Sequence, residues 1–87
     1  MPEISLFFDI RITIYYNDHN PPHIHAEYNG YKAIIDIQEA SVISGYLPGR
    51  QLKIVLAWCV MYQDELMQNW ELVKDGRKPN QVPPMKK

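Results

Sequence analysis

Ile10, Ile12, Ile14 and Tyr16 alternate with Arg11, Thr13 and Tyr15. A period of two in β-branched and aromatic residues predicts a half-buried strand with the isoleucines turned to the core. Asn17-Asp18-His19-Asn20-Pro21-Pro22 cannot continue it, because paired prolines donate no ladder hydrogen bond and push Asn20 toward extended backbone. Residues 23–28 and 31–37 then flank Asn29-Gly30, a pair suited to the two positive φ angles of a tight hairpin turn. A two-residue turn fixes the register, with Tyr28 opposite Tyr31, Glu27 opposite Lys32, His25 opposite Ile34 and His23 opposite Asp36. One face then reads Ile24, Ala26, Tyr28, Tyr31, Ala33, Ile35 and Ile37, which is core. The other reads His23, His25, Glu27, Lys32, Ile34 and Asp36, which is polar.

Residues 41–44 predict a short edge strand, with Gly45 and Pro48 as punctuation. From Pro48 to Asp75-Gly76 only Gly49, in the first turn, interrupts a helix-favouring composition, and one long helix is expected. At 100° per residue, Leu52, Val55, Leu56, Cys59, Leu66, Trp70 and Val73 form one stripe suited to cover the sheet. The expected fold class is therefore α+β: a three- to four-stranded antiparallel meander sheet, then one long C-terminal helix packed on one face. A second stripe of Ile54, Trp58, Met61 and Leu72 lies nearly opposite, too apolar for a face that simply meets water. It is expected to bind a partner chain or a second copy; the competing cover is residues 4–8 or the tail around Val82. The domain is expected to span residues 1–76, followed by a basic, proline-containing flexible tail over 77–87.

With 46% hydrophobic and 22% charged residues the composition is globular, and 87 residues suffice for one core. No apolar run reaches the roughly 18 residues of a membrane span, and the N-terminus has no leader pattern, so a cytoplasmic location is expected. The single Cys59 lies in an apolar stretch and reads as a core residue. Charge is uneven. Residues 1–76 hold five basic side chains against ten acidic ones, while Arg77, Lys78, Lys86 and Lys87 make the tail basic. An acidic body weakens any reading as a general nucleic-acid binder.

All three histidines fall within seven residues, in Asp18-His19-Asn20-Pro21-Pro22-His23-Ile24-His25. Three readings stay open. In the first the histidines belong to a hydrogen-bonded polar surface. In the second the His23-x-His25 pair, on one side of a strand, joins His19 from the loop as ligands of a divalent metal such as zinc. In the third, Arg11, His23, His25 and Asp36 are catalytic, with Thr13, Tyr15 and His19 binding substrate. Asp36, across from His23, would orient that ring, and general acid-base cleavage of a phosphodiester would then need no metal or cofactor. RNA supplies its own 2′-hydroxyl as nucleophile. The carboxylates near Gln63 and Asn69 read as a solvated helix face and Trp70 as packing. No phosphate-binding Gly-rich loop, Cys-x-x-Cys pair or nucleophile elbow occurs.

The segments Ile12-x-Ile14-Tyr15-Tyr16-x-Asp18-His19-Asn20-Pro21-Pro22-His23-x-His25-Ala26-x-Tyr28, Gly45-x-Leu47-Pro48, Gln63-Asp64-Glu65-Leu66 and Asn69-Trp70 resemble a bacterial family catalogued as domain of unknown function 4160. The similarity runs from Ile4 to about Gly76, and His19, His23 and His25 occupy its motif positions. The resemblance implies a gene neighbour of the family called domain of unknown function 2442. Some such pairs are regarded as type II toxin-antitoxin modules, in which this member would be the toxin and its partner a small antitoxin-like protein. Toxins of that broad kind commonly cut RNA on the polar face of a small sheet-plus-helix domain, an analogy at the level of fold.

Overall fold

The computed structural model describes residues 2–16 and 18–86; Asn17 in the expected 17–22 loop and the ends of the chain, Met1 and Lys87, lie outside the described residues. Strands β1 (Glu3–Phe7), β2 (Ile10–Thr13), β3 (His23–Tyr28), β4 (Tyr31–Asp36) and β5 (Ser41–Gly45) pair in chain order as an antiparallel meander. The β3–β4 hairpin has the register that Asn29-Gly30 predicts, His23 opposite Asp36 through Tyr28 opposite Tyr31. Both turn residues have positive φ, 50° at Asn29 and 87° at Gly30. The α+β class and the meander hold, but the sheet has five strands rather than three or four. The added strand is β1, joined to β2 by Phe8 and Asp9 at φ 50° and 62°. That turn makes the same backbone demand without the glycine that announces it.

The expected single helix is two: α1 (Gly49–Met61) and α2 (Gln63–Lys74), separated at Tyr62, whose φ and ψ are −115° and 28°. The break sits where Gln63 turns its side-chain amide onto the carbonyls of Ile37 and Gln38, at 3.2 and 2.8 Å. α2 is thereby tied to the chain leaving β4. The core lies between one sheet face and the two helices. Ile4, Ile10, Ile12, Ile14, Ile24, Ile35 and Ile37 meet Val55, Trp58, Cys59, Leu66, Trp70 and Val73 there, all buried. Cys59 is a core residue, and burial pushes its thiol up to about 12. Among the described residues no helix is long and apolar enough to cross a membrane.

Two expectations about the C-terminal half fail for one reason. The stripe of Ile54, Trp58, Met61 and Leu72 is not an open association surface: Trp58 is fully buried, and Ile54 and Leu72 are partly so. Only Met61 of the four is exposed. Phe7 of β1 packs on Trp58 with ring centroids 5.0 Å apart, and the indole N–H donates to the Pro83 carbonyl at 2.8 Å. Nor does the boundary at Gly76 set a free tail apart. The Val82 N–H donates to the Ile4 carbonyl at 2.8 Å, and Val82 itself is buried. Asn69, also buried, exchanges two 2.8 Å bonds with the backbone of Asn80. The tail's prolines favour extended backbone, which suits a chain laid along an existing surface. The internal cover was the competing reading, and it supplies both the N-terminal strand and the tail.

Removing residues after Gly76 should therefore strip Trp58 of its acceptor and expose the site of Val82. Loss of one buried aliphatic side chain and one satisfied buried N–H predicts about 3 kcal/mol of destabilisation, read as a lower denaturation midpoint with red-shifted tryptophan emission. An unchanged midpoint would show the docked tail to be energetically idle.

Candidate functional site

Alternation along β2 and β3 turns Arg11, Thr13, His25 and Glu27 to the face away from the helices, with Arg11 paired to Glu27 and Thr13 to His25. With Tyr15, Lys32, Ile34 and Ser44 they line an open concavity of about 370 Å³. Tyr15 lies flat on His25, ring centroids 4.0 Å apart at 15°. Arg11 and Lys32 contact carboxylates only loosely, at 3.8 Å to Glu3, 4.0 Å to Glu27 and 3.7 Å from Lys32 to Glu27. All four side chains are well exposed, and ion pairs of that kind contribute ~1 kcal/mol or less. Both cations can therefore turn toward an anionic ligand at small cost.

At the His25 end of the concavity the loop before β3 folds back. Asp18 Oδ2 lies 2.7 Å from His23 Nε2 and 3.4 Å from His25 Nε2. Its other oxygen accepts the His19 backbone N–H at 3.0 Å. The loop is shaped by Pro21 and Pro22: the Asn20–Pro21 peptide is cis, the Pro21 carbonyl lies 2.7 Å from His23 Nδ1, and the Pro22 carbonyl accepts the Ile37 N–H at 3.0 Å. Because that Pro21 oxygen can only accept, His23 Nδ1 must carry a proton. Its Nε2 then faces a carboxylate oxygen that also only accepts.

Burial by itself would raise the Asp18 carboxyl. The hydrogen bonds from the His19 N–H and from the His23 and His25 rings, with the charge on His23, outweigh it and hold the group below its ordinary value. One ligand atom from each of Asp18, His23 and His25 lies within 4.8 Å of the others, the donor set a divalent cation would use.

The sequence-based site divides. Arg11, Thr13, Tyr15 and His25 come together around the concavity. His23 does not point freely from the polar face; it is 8% exposed, with its ring 5.2 Å from that of Trp70 in α2 and 5.2 Å from that of His25. Asp36 is opposite His23 in register but does not orient it, since its Oδ1 accepts the Glu39 N–H at 2.9 Å in the turn after β4. Asp18 takes that role. His19 is exposed and contributes its backbone N–H, so the three-histidine ligand set gives way to Asp18, His23 and His25. Asp18 stood in the histidine-rich motif; what the sequence did not reveal is that the proline pair returns it to the strand.

Fold and site together define a small α+β domain with a carboxylate–histidine cluster at the end of a polar sheet face. The chain belongs to the family described as Domain of unknown function (DUF4160), which matches residues 9–71, from the first turn through most of α2. No curated protein and no solved structure matches it.

A carboxyl held below its ordinary value gives stability that is complete above its unfolded value near 4 and is lost as pH falls through the folded value. In chelator-containing buffer, Asp18→Asn should lower the melting temperature at pH 6, and the gap should narrow as the pH falls below about 4. A gap that does not narrow on acidification would mean Asp18 contributes packing alone.

Proposed function

We propose that this chain is the toxin-like member of a two-component bacterial pair, and that its polar sheet face cleaves RNA. The observation that carries the reading is the double position of His25, which lines the 370 Å³ concavity and also contacts Asp18. A phosphate in the concavity would meet Arg11 and Lys32 while its ribose 2′-hydroxyl faces the Asp18–His23–His25 cluster. The cluster accepts the 2′-hydroxyl proton, O2′ bonds to phosphorus, and the P–O5′ bond breaks. The 5′-oxygen takes a proton from water, leaving a 2′,3′-cyclic phosphate. Arg11 and Lys32 offset the charge that builds on the phosphoryl oxygens.

The partner's seat in this reading is β5 rather than the helix stripe. The docked tail closes the β1 edge through Ile4, whereas every residue of β5 is exposed at the opposite edge. Val42 and Ile43 there, with Tyr46 just beyond and Tyr31 beside it, offer apolar contacts along unpaired backbone, the surface that strand addition uses.

Incubation of the purified chain with single-stranded RNA should yield fragments ending in cyclic phosphate. Arg11→Ala and His25→Ala should each slow cleavage by roughly 100-fold or more. Ile43→Lys should leave cleavage unchanged and abolish neutralisation by the protein of the adjacent gene. Cleavage that survives His25→Ala, or no cleavage by the folded parent, would overturn the assignment.

A further inference from the structure

His23 presents an unusual hydrogen-bonding problem. It lies between two oxygens that only accept, the Pro21 carbonyl at 2.7 Å from Nδ1 and the Asp18 carboxylate at 2.7 Å from Nε2. A neutral ring can serve only one of them. With Nδ1–H committed to the carbonyl, the Nε2 lone pair confronts a carboxylate in a place where His23 is almost sealed from water. A cation placed between them would meet both the lone pair and the carboxylate. His25 directs its own Nε2 at the same Asp18 oxygen, 3.4 Å away. Two imidazole nitrogens and one carboxylate oxygen thus lie within 4.8 Å of one another.

We infer that Asp18, His23 and His25 form a binding site for a divalent transition-metal ion of the zinc class, held by two imidazole Nε2 atoms and one carboxylate oxygen. The donor set is that of catalytic zinc sites, in which three protein ligands leave a position open for water. Ligand atoms at zinc bond lengths of about 2.0–2.1 Å stand about 3.3 Å apart around a tetrahedral centre. The His25–Asp18 separation already matches, the His23–Asp18 pair needs to open by about half an ångström, and the two imidazole nitrogens, within 4.8 Å of each other, need to draw together around the ion. The surroundings are those of a ligating histidine: His23 donates its other ring N–H to a backbone carbonyl, which fixes the tautomer and aims the lone pair. Stacking on Tyr15 fixes His25, and the His19 N–H steadies the second Asp18 oxygen. One side of the cluster meets Trp70 and the other opens through His25 to the concavity, so an open coordination position has a route to substrate.

This deepens the reading above and rests on it only for the reaction: water bound to such an ion ionises near neutral pH, and the resulting hydroxide would accept the 2′-hydroxyl proton. The binding itself is independent of any substrate.

The test uses the untagged full-length chain, stripped with a chelator, dialysed and titrated calorimetrically with zinc chloride, then with cobalt(II) followed by visible absorption. The expected result is one ion per chain, a rise in melting temperature with zinc, and cobalt ligand-field bands of a low-coordinate nitrogen–oxygen site. Asp18→Asn and His25→Gln should each weaken zinc binding by at least about tenfold, while His19→Ala leaves it unchanged. Because His25 is on the open face, His25→Gln should stay folded, which circular dichroism verifies. No saturable binding of either ion, or binding that Asp18→Asn and His25→Gln leave intact, overturns the site. RNA cleavage scored separately, with and without chelator, keeps a failure of the metal site distinct from a failure of the proposed reaction.

Discussion

The organisation of this domain turns on a histidine caught between two acceptors. The Pro21 carbonyl and the Asp18 carboxylate leave His23 no neutral arrangement that donates to both. The loop before β3 folds back so that Asp18 reaches His23 while the Pro21 and Pro22 carbonyls meet His23 Nδ1 and the Ile37 N–H. It also places the carboxylate against His25, the one cluster residue that faces the concavity. Remove the constraint and the face becomes an ordinary polar surface with two loosely held cations.

The rest of the fold holds that geometry at the junction of rigid elements. His23 and His25 both pair with β4, and His25 with β2 as well, so their spacing is set by the sheet. Trp70 of α2 supplies the wall against which His23 rests, and α2 is anchored by Gln63 at its start and by Asn69 to the tail. The tail in turn covers Trp58 and one sheet edge. A chain of 87 residues buries little surface beyond its core, and this packing recruits both ends of the chain to complete that core.

What was legible in the sequence was what local rules determine. Asn29-Gly30 fixed one turn, that turn fixed a register, and the register sorted Arg11, Thr13, Tyr15 and His25 onto one face. The β1–β2 hairpin escaped because Phe8 and Asp9 adopt positive φ without glycine or asparagine to signal it. The helix break at Tyr62 carries no glycine or proline, and its tether, Gln63 to the chain after β4, is non-local. Trp58 looked unpartnered because its partners, Phe7 and Pro83, are far away along the chain. Alternation brings Asp36 across from His23 and says nothing of Asp18, because it identifies cross-strand neighbours but not a loop returning to its own strand. The same blindness hid Trp70 behind His23.

The most direct test of the central constraint is the protonation pattern of His23, read by ring-nitrogen NMR on the chelator-treated chain and again after adding zinc. The account predicts a protonated Nδ1 in both states, with the Nε2 resonance shifting when zinc is added. A neutral ring carrying its proton on Nε2 alone, with a bare Nδ1, would contradict it.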